Sequence, residues 1–287
     1  INTKFYILVS FFSIIIKKTN PINTILRNYE LQGGFSMDKF SPDFLLGAAT
    51  AAHQVEGSND NSDCWAMEQM EHTSFIEPSL DAVDHYHRYQ EDIRLMADAG
   101  LNAYRFSVEW ARIEPEEGHF DDAQAEHYLD VIHCCKEHGL EPIVTLHHSS
   151  PKWLIGKGGW EAESTVDDFA RYVRYIIGKL GNELHYVCTI NEANMGIQVA
   201  AIAKRYTLQM QAQAAKAQSA DGTVQVGINL EKMMADQKAT AEENIKVFGV
   251  EKVENFTSMR TPEGDKIVCR AHEAARAVIK ELYPKSK

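Results

Sequence analysis

After Met37 the sequence alternates between short apolar runs and amphipathic helical stretches, and this alternation leaves few folds open. "FLLGAAT" (44–50), "NAYRFSV" (102–108), "EPIVTLHH" (141–148) and "LHYVCTI" (184–190) have the length and composition of strands. Between them lie stretches of helical period. "HRYQEDIRLMADAG" stops at Gly100, "DDAQAEHYLDVIHCCKEHG" stops at Gly139, and "STVDDFARYVRYIIGKLG" has Ser164 or Thr165 as its N-cap. A strand–helix–strand rhythm of this kind predicts an α/β fold with a parallel sheet and right-handed crossovers. Alanine-rich "VAAIAKRYTLQMQAQAAKAQ" reads as a further helix. "VQVGINLEKMMADQKATAEEN" reads as a strand or extended loop before a helix. In "TPEGDKIVCRAHEAARAVIKELYP" (261–284) a stripe of Ile267, Val268, Ala271, Ala275, Val278 and Leu282 marks one more helix, which in this rhythm should feed another strand.

The chain has 287 residues and a net charge of −12, with acids spread along its length. No basic face stands out, so nucleic acid is not an expected partner. The five cysteines show no paired metal spacing and read as reduced thiols, which suits a cytoplasmic location. "HYH" (85–87) and His147–His148 lack the remainder of a zinc site, so no metal or other cofactor is expected.

Residues 1–36 differ in composition from the rest. They lack alanine and carry four basic residues (Lys4, Lys17, Lys18, Arg27) against one acid, Glu30. Their apolar run "FYILVSFFSIII" (5–16) is too short for a membrane-spanning helix. Lys17 and Lys18 follow it where a signal peptide would carry a small-residue cleavage site. Met37 opens a clean start, "MDKFSPDFLLGAAT". The expected organisation is a non-native or disordered leader (1–36), with a signal anchor as the alternative, followed by one folded unit (37–287).

"TINEAN" (189–194) places Glu192 after Asn191 at the end of the fourth strand, a position suited to acid chemistry at a site mouth. Three other stretches accompany it in order: "FLLGAATAAHQVEG" (44–57), "DHYHRYQEDIRLMADAGLNAYRFSVEWARIEP" (84–115) and "VTLHH" (144–148). Together they resemble glycoside hydrolase family 1, the β-glucosidase family of (β/α)8 barrels, over essentially all of 37–287. The resemblance implies an incomplete barrel, about the first four βα units. It implies that Glu192 is the general acid/base and Asn191 the amide that bonds the sugar 2-hydroxyl. It further implies that Gln54 and His148 hold sugar hydroxyls and that Arg105 stands beside the nucleophile. Each residue also has a structural alternative. Glu192 could be a structural carboxylate, Arg105 could pair with a core acid such as Glu109, and His148 could be a core histidine. Gln54 could cap a helix, and Trp65, Trp110, Trp153 and Trp160 could be core as readily as sugar platforms.

A retaining glycosidase needs a second carboxylate about 5 to 5.5 Å from the first. The family supplies it in an "ENG" motif on the seventh strand, and no such motif occurs in these 287 residues. The expected function is therefore that of part of a retaining β-glucosidase acting on a β-glucoside, inactive by itself. A non-hydrolytic sugar-binding or interaction protein and a 6-phospho-β-glucosidase parent are the alternatives. Half a barrel would leave sheet edges and an inner face open, so a homodimer or aggregation is expected. Two departures from the family pattern are Ser149 directly after His148, where an aromatic is usual, and "NEA" in place of "NEP".

Overall fold

The computed structural model describes residues 41, 43–218 and 230–287 together with a short N-terminal strand; for 7–9, 210–218 and 230–234 only the backbone is described. In chain order the elements are β1 (Ile7–Val9), β2 (Leu46–Ala49), α1 (Ala52–Val55), α2 (Asp63–Glu68), α3 (His85–Asp98), β3 (Ala103–Ser107), α4 (Trp110–Ile113), α5 (Asp122–Glu137), β4 (Glu141–His147), α6 (Lys152–Gly156), α7 (Thr165–Leu180), β5 (Tyr186–Ile190), α8 (Met195–Gln218), α9 (Leu230–Phe248) and α10 (Pro262–Leu282). The strands form one sheet in the order β1-β2-β3-β4-β5. Every neighbouring pair is parallel.

The four strands read from the sequence are all present as β2 to β5. Local signals explain the helix boundaries. Asp121 caps α5 by accepting from the N–H groups of Ala123 and Gln124. Gly139 ends the turn after α5 at φ 74°, a conformation open to glycine at little cost. Thr261 caps α10, accepting from Gly264 N, with Pro262 in the first turn.

Alternation along the strands divides the sheet into two faces. Tyr104, Phe106, Val144 and Leu146 face the crossover helices and share a core with Tyr128, Ile132, Phe169, Tyr172 and Ile176. Arg105 and Thr145 take the opposite parity, on the face that a barrel turns inward. Helix α10 packs along α7, burying Ile267, Val268, Ala271 and Ala275, and so completes the fourth βα unit. The sheet is thus part of an α/β barrel. Helices α8 and α9 are insertions between β5 and α10. The described part of α8 is largely exposed, with Ile202 at 69% and Tyr206 at 64%. Helix α9 instead lies on α6, where Phe248 meets Ile155, Met70 and Ala66.

Two backbone features alter the expected open edges. The leader was expected to stand apart from the folded unit. Residues 1–6 and 10–40 lie outside the described set, but Ile7–Val9 pairs with Leu46–Ala48 on the free side of β2. At the other edge Lys287 N donates to His185 O (2.7 Å) and Lys287 O accepts from Val187 N (2.9 Å), starting a further pairing beside β5. The expected extended stretch at 224–229 also lies outside the described residues.

Past the C-terminal ends of β2 and β3 a buried charged network joins the segment after β2 to the segment after β3 and to α5. Glu56 accepts from Arg112 Nε (2.9 Å) and from Tyr128 Oη (3.0 Å). Burial raises the Glu56 carboxyl pKa, and the Arg112 guanidinium opposes that rise. Removing one partner of such a pair leaves the other charge uncompensated. Arg112→Ala should therefore cost about 3–5 kcal/mol in denaturant unfolding. A loss below about 1 kcal/mol would show that the network is not stabilising.

Burial also depresses three histidines. His127, stacked on Tyr86 with ring centroids 3.9 Å apart, is brought down to about 4, with Arg112 adding to the effect. Burial, then Arg105 and His53, bring His148 to about 4, and burial holds His147 well below its usual value. Such groups bind a proton in the unfolded chain before they do in the folded one, so stability falls as pH drops below about 6.5. Asp63, raised by burial to about 6, and Glu56, also raised, act in the opposite sense. Three histidines outweigh two acids, so the melting temperature should fall between about pH 7 and pH 5. His127→Gln should flatten that slope, and a melting temperature that rises across the interval would contradict this balance.

Candidate active site

The C-terminal strand ends, with the loops that follow them, carry all five residues singled out in the sequence. Backbone pairing sets their positions. Thr50 N donates to Arg105 O (2.9 Å), which brings the chain after β2 alongside β3. Ala52 N donates to Ser107 Oγ (2.7 Å), which anchors α1 and places Gln54 on its exposed side. Asn191 N donates to His147 O (3.0 Å), which carries the β4–β5 ladder one residue beyond the strand.

Arg105 links three strands. Its Nε donates to Thr145 Oγ1 on β4 (2.8 Å) and its Nη2 to Asn191 Oδ1 after β5 (2.7 Å). Among the described residues no carboxylate pairs with it. The core-acid alternative fails in particular for Glu109, which instead accepts from Ser149 Oγ (2.6 Å) and Ala111 N (3.3 Å). His148 is half-buried and close enough to Arg105 and His53 for both charges to lower its pKa. At about 4 it is a neutral imidazole at neutral pH, with one donor and one acceptor for a hydroxylated ligand.

Glu192 is exposed, and its side chain has no hydrogen bond or ion pair among the described residues. Its backbone sits at φ 46°, in the left-handed region, and its carbonyl accepts from Met195 N (2.8 Å). A non-glycine residue held in that region costs free energy, and such strain gathers where a side chain must be aimed. The structure therefore brings Arg105, Asn191 and His148 together, sets Glu192 beside them at the strand end, and places Gln54 on the rim.

Trp110 and Trp160 are buried in the core, which decides their role. Two residues escaped the sequence reading. Thr145 lies inside "VTLHH", and its strand parity shared with Arg105 was the available signal. His53 adjoins Gln54 in sequence and is held by Glu68 (2.7 Å), a contact between separate helices that no local pattern announces.

Comparison with known proteins bears on the family. A crystal structure titled β-glycosidase BGL167 superposes with a TM-score of 0.71 at 43% identity, covering 86% of this chain and 55% of that one. Coniferin beta-glucosidase of Pinus contorta is 38% identical over 55% of this chain and 33% of its own length. Aryl-phospho-beta-D-glucosidase BglC of Bacillus subtilis is 36% identical over 55% of this chain and 35% of its own length. The chain thus spans about a third of the length of the curated relatives it matches. Residues 36–247 match the family model described as glycosyl hydrolase family 1, and on that match and the strand-end site the chain belongs to glycosyl hydrolase family 1.

Proposed function

We propose that this chain supplies the acid/base half of a retaining β-glycosidase site. Glu192 protonates the leaving oxygen of a β-glucoside and then activates water. Asn191 bonds the sugar 2-hydroxyl, and Gln54 and His148 hold further hydroxyls. Arg105 faces the position of a carboxylate nucleophile, whose charge it stabilises. The observation that carries this reading is the 2.7 Å bond from Arg105 to Asn191, which ties the residue beside Glu192 to a guanidinium with no acid partner among the described residues. A depressed His148 fits the same role, because a neutral imidazole can both donate to and accept from a hydroxyl. No cofactor enters this chemistry.

Two finer points belong to the same reading. The relative named an aryl-phospho-β-D-glucosidase favours, as a second reading, a 6-phosphorylated substrate. All five cysteines are free, and among the described residues no helix is long and apolar enough to cross a membrane. Both accord with a cytoplasmic site of action.

Without a second carboxylate the 287-residue chain should release no p-nitrophenol from p-nitrophenyl β-D-glucoside or its 6-phosphate above background. Losing a nucleophile removes several powers of ten of rate in comparable systems. Turnover on the order of one per second, abolished by Glu192→Gln, would show that the catalytic pair is complete in this chain.

We further infer that the inner face seeks a partner. Arg105, Ile143 and all of β5 remain half-exposed where a closed barrel would cover them. Dimers or larger species are expected in size-exclusion chromatography with light scattering. A monodisperse monomer would contradict this.

A further inference from the structure

We infer that Thr145 is the positioning residue of Arg105, the group that aims its guanidinium along the strand ends rather than into solvent. The inference rests on the reading of Arg105 given above. Arg105 sits on β3 opposite Ile143 of β4 in the ladder, yet its Nε reaches Thr145, two residues nearer the C-terminal end. The side chain therefore runs diagonally across β4 before Nη2 meets Asn191 beyond β5. Thr145 lies midway along that path and is 1% exposed, so water cannot readily replace its hydroxyl as the acceptor.

An arginine side chain has several rotatable bonds, and a single terminal bond would leave its direction loose. Two acceptors, one at Nε and one at Nη2, fix the plane of the guanidinium, whose five N–H donors keep a rigid fork. With those two directions taken, the remaining N–H groups are left for a planar anion within the barrel. Thr145 would touch neither substrate nor reacting atoms; it acts through Arg105. Glu109 is not an acceptor for Arg105; its oxygens accept from Ser149 Oγ and Ala111 N instead.

Thr145→Val keeps the β-branched shape but removes the buried acceptor, leaving Arg105 Nε–H without its protein partner. Thr145→Ser restores the hydroxyl. Two nuclear magnetic resonance readouts in the full 287-residue chain report the position of Arg105 without requiring hydrolysis. One is solvent exchange of the Arg105 Nε–H. The other is the titration midpoint of His148, at about 4 and partly held down by Arg105. Expected are a protected Nε–H in the wild-type chain, loss of that protection in Thr145→Val, and recovery in Thr145→Ser. The His148 midpoint should rise by about half a pH unit in Thr145→Val and return in Thr145→Ser. An unprotected Nε–H in the wild-type chain would overturn the inference even if Thr145→Val failed to fold. So would a folded Thr145→Val with unchanged exchange and an unchanged His148 midpoint. Neither outcome depends on whether a glycoside is the ligand.

Discussion

Parallel backbone pairing is the constraint on which the rest of this structure depends. Strands that run the same way must be joined by crossovers, so every loop leaving a strand opens on one face of the sheet. Residues distant in sequence then meet without any long-range design beyond the ladder. Arg105 and Asn191 are 86 positions apart and bond at 2.7 Å because β3, β4 and β5 bring their C-terminal ends into register. The helices hold that register from outside. Tyr172 of α7 donates to Leu146 O at the end of β4 (3.0 Å), and Trp110 stacks on the same ring with centroids 5.0 Å apart.

The two faces of the sheet have opposite requirements. The helix-facing side is filled by aromatic and branched residues with almost no exposure, as in a complete barrel wall. The inward side carries Arg105, Thr145 and the approaches to His148 and Glu192. An arginine on that face is costly unless its donors are satisfied. Here two neutral oxygens satisfy part of the fork, and the rest is suited to an acid. The outer wall is thus finished, while the inner face is only partly satisfied.

Much of this was legible in the sequence. Strand runs bounded by small residues and helices ended by Gly100 and Gly139 gave four βα units, because local period and turn chemistry decide them. The site candidates could be proposed only as a set, since Glu192 or His148 alone fits several roles. What escaped depends on tertiary contact. Thr145 is an ordinary strand threonine until the diagonal path of Arg105 is known. The pairing of Ile7–Val9 with β2 was missed because composition speaks to the character of a segment and not to its docking. Helix α8 was legible as a helix but not as an insertion; α10 packs on α7 instead, through its apolar stripe.

The central claim is that a glycoside is held by the strand-end residues around Glu192. Mapping amide and side-chain resonance shifts while titrating β-D-glucose into the 287-residue chain tests it most directly. Saturable shifts confined to Gln54, Arg105, His148, Asn191 and Glu192, and lost in Asn191→Ala, are the expected result. Shifts that never saturate, or that cluster away from these strand ends, would contradict it.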